Sequence, residues 1–597
     1  MQRRIVRSTL AALASCALLA PMAQAVPAPA PGPSKKAEAV GRGGAVSSVD
    51  SDATRAGIEV LRRGGSAADA AVAVAAALGV TEPYSAGIGG GGYFTHYDAQ
   101  TGKVSTIDGR ETAPAAAGEG LFLENGKPIP KDEAITSGLG VGVPGTPATW
   151  QRALDNWGRK DLGEVLRPAE RLARNGFVVD ETFRQQTAQN QQRFSAFPAT
   201  RDLFLPGGQP PRPGTVLRNP DLADTYRTLG EQGLDPFYRG EIGADVAATV
   251  QHPPVDPAAG RHVRPGGMTA RDLRDYRAVD REPTHVDYRG LDVYGMAPSA
   301  SGGTTVGEAL NILERSDLPE LDEAQYLHRY LEASKLGFAD RDRWVGDPAF
   351  SDVPTSELTG QRFADSRSCL ITPDAVLPAP AAPGNPRDPG GCAPATAPGG
   401  EHHEGPNTSH LTVADASGDV VSYTLTIEQT GGSAITVPGR GFLLNNELTD
   451  FSFTPAAPGE PDPNLPGPGK RPRSSISPTI VLRDGEPLLA TGSPGGATII
   501  TTVLQVLTGR LDRGMSLVDA IAEPRASQRN SASTEAEPGF LAQPEADKLR
   551  GIGHEFETSA EIGAATGVER LPDGRWVAAA EPQRRGGGSA EVVVPAP

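Results

Sequence analysis

Apolar and polar positions along the chain alternate between two periods, and the change of period marks the elements. From Ser51 to Val80 the spacing predicts helix, interrupted at Gly64-Gly65. Its second half, Ala67 to Leu78, consists largely of small side chains that allow close packing against a sheet or another helix. The residues after Gly87-Ile88-Gly89-Gly90-Gly91-Gly92 read as a strand. Short helices and turns alternate from Asp221 to Asp287, Leu291 to Met296 predicts a strand, and Thr305 to Ala339 is rich in helix. Pro, Gly and Ala crowd the segment from Pro373 to Pro406, which has little helix or strand signal. Strands then follow at Leu411 to Ala414 and Val420 to Thr426, joined by a turn at Ser417-Gly418 as a β-hairpin. Further strands are expected at Gly441 to Leu444, Ser477 to Leu482, Leu488 to Thr491, Arg575 to Ala580 and Glu591 to Val594. Helices are expected at Trp150 to Gly176, Thr498 to Leu507 and Leu517 to Ala522. The pattern is mixed α/β with helices outside.

The first 25 residues depart from this pattern. Arg3, Arg4 and Arg7 precede an apolar run that ends at Ala23-Gln24-Ala25, the order of a secretory signal peptide and too short for a membrane span. Leu13-Ala14-Ser15-Cys16 offers a second reading, a lipid anchor on Cys16. Both put the working protein outside the cytoplasm. Residues 26–40 read as a disordered Pro/Ala-rich linker. The formal charge of -17, without a dense basic patch, argues against a nucleic-acid partner. Cys369 and Cys392 flank a Pro/Gly-rich loop that an oxidising compartment would let close as a disulfide; two free thiols are the alternative.

Candidate chemistry centres on Thr408. It stands where the Pro/Gly-rich segment meets the first strand of the hairpin, directly after Asn407. A threonine hydroxyl needs an adjacent base, and a terminal α-amine can serve because its pKa lies far below that of lysine. That base exists only if the Asn407–Thr408 bond is broken. The run Gly492-Ser493-Pro494-Gly495-Gly496 turns a strand into a helix, a place where N–H groups can face developing negative charge. The glycines from Gly87 to Gly92 lack a following Lys-Ser/Thr pair and a helix, so they read as a close backbone approach and not as a phosphate loop. His402, His403 and His410 lack a convincing set of carboxylate or thiolate partners, so neither a metal nor a cofactor is expected.

Several motifs occur together in one order: Thr408-Ser409-His410-Leu411, Gly441 to Asn446, Lys470 to Thr479 and Gly492 to Gly496. Upstream stand Gly87 to Gly92, Asp108-Gly109-Arg110-Glu111, Val143 to Thr146 and Ser301-Gly302-Gly303. With these motifs the chain resembles the γ-glutamyltransferase (glutathione hydrolase) family of N-terminal nucleophile hydrolases, from about Gly41 to the C-terminus. The resemblance implies a four-layer αββα sandwich built by two fragments, a large subunit 41–407 and a small subunit 408–597. It implies autocleavage between Asn407 and Thr408, with Thr408 then attacking γ-glutamyl amides such as glutathione. Water or an amino acid or dipeptide acceptor resolves the ester.

The resemblance also assigns roles. Thr424 matches a threonine that supports the nucleophile, and Gly495 and Gly496 match an oxyanion hole. Arg110 matches a clamp on the substrate's α-carboxylate, Ser474 and Ser475 stand beside that carboxylate, and Asp450 and Glu447 take the α-ammonium. Without the resemblance, Arg110 would read as a member of a surface ion pair and Asp450 as a surface carboxylate. Thr426 stands where the family usually has an asparagine that contacts the substrate's amino group, and Glu428 is the residue that could compensate. The loop from Ser452 to Gly469 has no clear aromatic gate, so water is expected to compete with acceptors. A related autocleaving amidase, such as a β-lactam side-chain acylase, is the alternative.

Overall fold

The computed structural model describes residues 35–394, 404–405, 407–456, 459 and 461–596. The leader at 1–25, Cys16, residues 26–34 of the linker, and His402 and His403 lie outside the described residues. No helix among the described residues is long and apolar enough to cross a membrane.

Thirteen strands form one antiparallel sheet. In chain order they are β1 (Glu38–Ser48), β2 (Gly91–Asp98), β3 (Lys103–Asp108), β4 (Val279–Arg281), β5 (Thr284–Tyr288), β6 (Leu291–Gly295), β7 (Ser409–Asp415), β8 (Val420–Thr426), β9 (Thr479–Arg483), β10 (Glu486–Gly492), β11 (Thr566–Arg570), β12 (Trp576–Ala580) and β13 (Ser589–Pro595). Their order in space is 4-3-2-8-7-1-12-11-10-9-6-5, with β13 also paired to β1. The strand β1 connects two arms. Its start, Glu38–Gly41, pairs with β12, and its end, Gly44–Ser48, pairs with β7. Gly43 and Gly44, at φ 80° and 127°, allow the irregularity between the two parts.

Side chains tie the arms face to face. Ser47 Oγ donates to Gly567 O at 3.0 Å, and Ser422 Oγ on β8 donates to Thr491 O on β10 at 3.0 Å. One core packs helices α1 (Ser51–Arg62) and α2 (Ala67–Thr81) on Leu411, Val413, Val421, Tyr423 and Leu425. A second packs α3 (Gly302–Leu313), α4 (Glu323–Trp344) and α5 (Thr498–Leu511) on Val293, Val481 and Leu489. A third contains strand residues from both arms, among them Ala45, Ala414, Val420, Ile480, Ala490 and Val568. Because strand side chains alternate, the odd positions of β7 and β8 face helices and the even ones face the opposite arm. Thr408, His410, Thr424 and Thr426 are all even.

Three sequence expectations change. Glu38, Ala39 and Val40, read with the linker, start β1, because pairing with Val577–Ala579 supplies the partners that local composition did not announce. Gly441 to Leu444 is not a strand. It is half of a narrow ribbon with one bridge, Thr436 to Leu443, and Gly439 and Gly441 at positive φ cut it short. Thr284–Tyr288, read among short helices and turns, is a strand whose residues alternate buried and exposed.

Candidate active site

The hairpin register decides which side chains meet Thr408. Ser409 pairs with Leu425 and His410 with Thr424, so the position across from Thr408 is Thr426. The Thr426 hydroxyl donates to the carbonyl oxygen of Asn407 at 3.0 Å and accepts the Glu428 N–H at 2.8 Å. Thr424 lies one pair further along and hydrogen-bonds His410 Nδ1 at 2.7 Å. The hydrogen bond to the Asn407 carbonyl is thus made by Thr426 and not by Thr424. Burial lowers the His410 pKa to about 3, so its ring is neutral. Arg585 Nη1 donates to the Thr408 carbonyl at 2.8 Å, and Nη2 donates to Ser85 Oγ at 2.8 Å. Thr408 itself is 3% exposed.

Glycines bring a second strand close to this hairpin. Gly91 and Gly92 on β2 pair with Thr426 and Leu425, and a Cβ on Gly90 or Gly92 would overlap the Thr426 or Thr424 carbonyl. The glycine run is thus a close backbone approach. It leads to Arg110, whose N–H donates to Asp108 Oδ1 at 3.0 Å and whose carbonyl accepts from Tyr276 OH at 2.8 Å.

The Arg110 guanidinium is buried and fully engaged. It pairs with Glu447 and Asp450 and donates to the carbonyls of Pro472 (3.3 Å) and Arg473 (3.1 Å). Both carboxylates sit on one short helical turn, Glu447–Asp450. Asn445 fixes that turn: its Oδ1 accepts the Glu447 N–H at 3.0 Å, and its Nδ2 donates to Gly89 O at 2.7 Å and Gly142 O at 2.9 Å. Glu111 is buried beside them, and burial against the pull of Arg110 pushes its carboxyl up to about 8. Burial likewise raises Glu447 and Asp450 in spite of Arg110. Glu447 Oε2, Asp450 Oδ1 and both Glu111 oxygens are buried without a hydrogen-bond partner among the described residues. The cluster has more acid than one guanidinium satisfies.

Ser474 and Ser475 lie on the adjoining segment. Ser301 donates to the Ser474 carbonyl through its N–H (2.7 Å) and its hydroxyl (2.8 Å). Ser475 receives a hydrogen bond on Oγ from Arg341 at 2.9 Å and gives its N–H to Glu404 Oε2 at 2.8 Å. Glu404 also pairs with Arg341. Burial pushes the Glu404 carboxyl up, but Arg341 and Ser475 outweigh this and hold it below its ordinary value.

Gly405 follows Glu404 and passes over the glycine turn, where a Cβ on Gly496 would overlap its carbonyl oxygen. Its N–H donates to Glu428, which also receives Asn446 Nδ2. A cavity of about 330 Å³ is lined by Asn407, Gly495, Thr498 and Arg585, among others. Cys369 and Cys392 are joined by a disulfide with Cα atoms 5.5 Å apart. Arg341, Glu404, Glu111 and Arg585 were absent from the sequence-based set of site residues. Only Glu404, four residues before Thr408, carried a positional hint.

The gamma-glutamyltranspeptidase family profile matches residues 53–591, and the chain belongs to that family. The glutathione hydrolase proenzyme of Bacillus subtilis (strain 168) is 40% identical over 529 residues, 87% of this chain and 86% of that one. The glutathione hydrolase proenzyme of Escherichia coli (strain K12) is 37% identical over 558 residues, 90% of each chain. Among solved structures, the cephalosporin acylase from Bacillus halodurans superposes with a TM-score of 0.80 at 28% identity, over 95% of this chain and 99% of that one.

Proposed function

We propose that the protein is a secreted, self-processing γ-glutamyltransferase and glutathione hydrolase with Thr408 as its nucleophile. The observation that carries the reading is the Thr426 hydroxyl on the Asn407 carbonyl, with Thr408 directly across the ladder. Thr408 Oγ attacks that carbonyl, the C–N bond breaks, and an ester forms between Asn407 and Thr408 Oγ. Water hydrolyses the ester, leaving the Asn407 carboxylate as the end of the large subunit and a free α-amine on Thr408. Thr426, and not Thr424, steadies the carbonyl through this step. The two subunits, a large one that includes β1 from Glu38 and ends at Asn407 and a small one of residues 408–597, stay together as an αββα sandwich, a reading supported by the inter-arm core and the helices packed on either side of it.

In turnover the α-amine takes the proton from Thr408 Oγ as it attacks the γ-carbonyl of the donor. The N–H groups of Gly495 and Gly496 receive the oxyanion, the amine leaves with the proton, and water or an amino acid or dipeptide acceptor resolves the ester. The donor's headgroup is a zwitterion, and the Arg110 cluster is complementary to it. Its α-ammonium supplies donors for Glu447 Oε2 and Asp450 Oδ1, which Arg110 leaves without hydrogen bonds, while its α-carboxylate faces Arg110, Ser474 and Ser475.

A second reading, removal of an acyl side chain by the same nucleophile, has the likeness to the Bacillus halodurans acylase in its favour. Release of p-nitroaniline from γ-glutamyl and glutaryl anilides separates the two. The γ-glutamyl anilide is expected to be the better substrate, and a strong preference for the glutaryl compound overturns the first reading.

A further inference from the structure

We propose that in the uncut chain the Glu404 carboxylate occupies the place that the donor's α-carboxylate takes after maturation, and that Arg341 pairs with both, in addition to the contact of the donor's carboxylate with Arg110. The assignment rests on the γ-glutamyl reading above. It adds to that reading a specificity-determining arginine from α4 and an internal occupant that keeps substrate out of the precursor.

Glu404 is bound as a substrate carboxylate would be. One oxygen meets the Arg341 guanidinium and the other accepts the Ser475 N–H at 2.8 Å. Arg341 also donates to Ser475 Oγ at 2.9 Å, so the donors to Glu404 converge on the serine that the family resemblance sets beside the α-carboxylate. The guanidinium is oriented in advance: Nε donates to Ser301 Oγ and Nη1 to Asp342, both at 2.8 Å. It is 1% exposed, so beyond Asp342 on Nη1 the anion on Nη2 is Glu404.

Cleavage after Asn407 turns residues 404–407 into a chain end. Glu404 is then no longer held on its C-terminal side, and a diffusible carboxylate can exchange with it on Arg341 and Ser475. Before cleavage the same site is filled by a group whose local concentration no free substrate matches.

Arg341→Gln and Arg341→Lys, matured and purified, are tested on γ-glutamyl p-nitroanilide and on 4-aminobutanoyl p-nitroanilide, which lacks only the α-carboxylate. Arg341→Gln is expected to lower kcat/KM on the first by about 30-fold, mainly through KM, and to leave the second unchanged. The lysine variant should fall between. Equal losses on both anilides, or no loss on the first, overturn the assignment. A wild-type enzyme that matures yet ignores the γ-glutamyl anilide sinks the functional reading itself, and that result appears before any variant is made. Should the Arg341 variants fail to mature, thermal shift on uncut chains decides: L-glutamate should stabilise Thr408→Ala/Glu404→Gln and not Thr408→Ala. A shift in both or in neither overturns the proposal.

Discussion

The Thr426 hydroxyl donates to the Asn407 carbonyl oxygen at 3.0 Å, so it holds the oxygen that turns negative when the bond before Thr408 is attacked. A donor to a developing oxyanion is typically worth two to three decades in rate, and Thr426→Val is expected to slow maturation by about 100-fold. Thr424 is bonded to His410 instead. Thr424→Val should therefore mature within a few-fold of wild type and lose about 1 kcal/mol of stability. The fraction of uncut chain on a denaturing gel, followed in time, reads both. Equal slowing in the two variants would contradict the register argument.

Removal of the nucleophile makes a sharper case. Thr408→Ala retains the Thr426 contact to Asn407 but has no hydroxyl to attack, so a single uncut and inactive chain is expected. Thr408→Ser keeps a hydroxyl and should still be cut. N-terminal sequencing of the smaller wild-type fragment should begin at Thr408; any other first residue removes the mechanism.

The distinction between Thr424 and Thr426 was within reach of the sequence. The hairpin turn is centred near Ser417, and Thr408 and Thr426 lie at equal distances on either side, which is the cross-strand pair that the structure contains. Thr424 and Thr426 lie two positions apart on one strand and share a face, so residue type alone does not tell them apart. The helices flanking Gly64-Gly65, the hairpin and the strand-to-helix turn at Gly492–Gly496 were legible because local pattern and tertiary context agree there. Arg341 and Arg585 were not. Their roles depend on α4 and the C-terminal segment reaching residues distant in the chain, and neither stands in a local pattern that sets it apart from other arginines.

Arg110 spans two carboxylates with a planar fork that lysine cannot reproduce. Arg110→Lys keeps one positive charge near Glu447 and Asp450, so the precursor should still fold and cut itself. Its KM for γ-glutamyl p-nitroanilide should rise by about 10-fold or more, with kcat less affected, because a bidentate contact is replaced by a point charge. An unchanged KM would place the substrate's carboxylate elsewhere.

His96 gives the fold a pH dependence that can be isolated. Its ring stacks on Trp157 at 4.2 Å, both ring nitrogens are buried without hydrogen-bond partners among the described residues, and burial lowers its pKa to about 3 from 6.5. Above pH 6.5 the ring is neutral in folded and unfolded chains and contributes no pH dependence. Between pH 6.5 and about 3 the unfolded chain takes up a proton that the folded chain refuses, so stability falls as the pH falls. By pH 5 the loss is about 2 kcal/mol for this ring. Glu82 acts in the opposite sense: burial pushes its carboxyl up to about 7 from 4.5, so the folded chain binds more protons and is favoured as the pH falls through that window. Total stability therefore mixes these with other buried groups, His410 and Glu111 among them, and a variant is needed to isolate His96. In the uncut Thr408→Ala chain, where unfolding cannot separate two fragments, His96→Phe keeps an aromatic ring against Trp157 and removes the titrating group. Denaturant unfolding at pH 7 and pH 5 should show a difference more favourable to pH 5 by about 2 kcal/mol in the phenylalanine variant. An identical difference in both chains would mean that His96 is protonated in the folded state and that its burial is looser than the stacking implies.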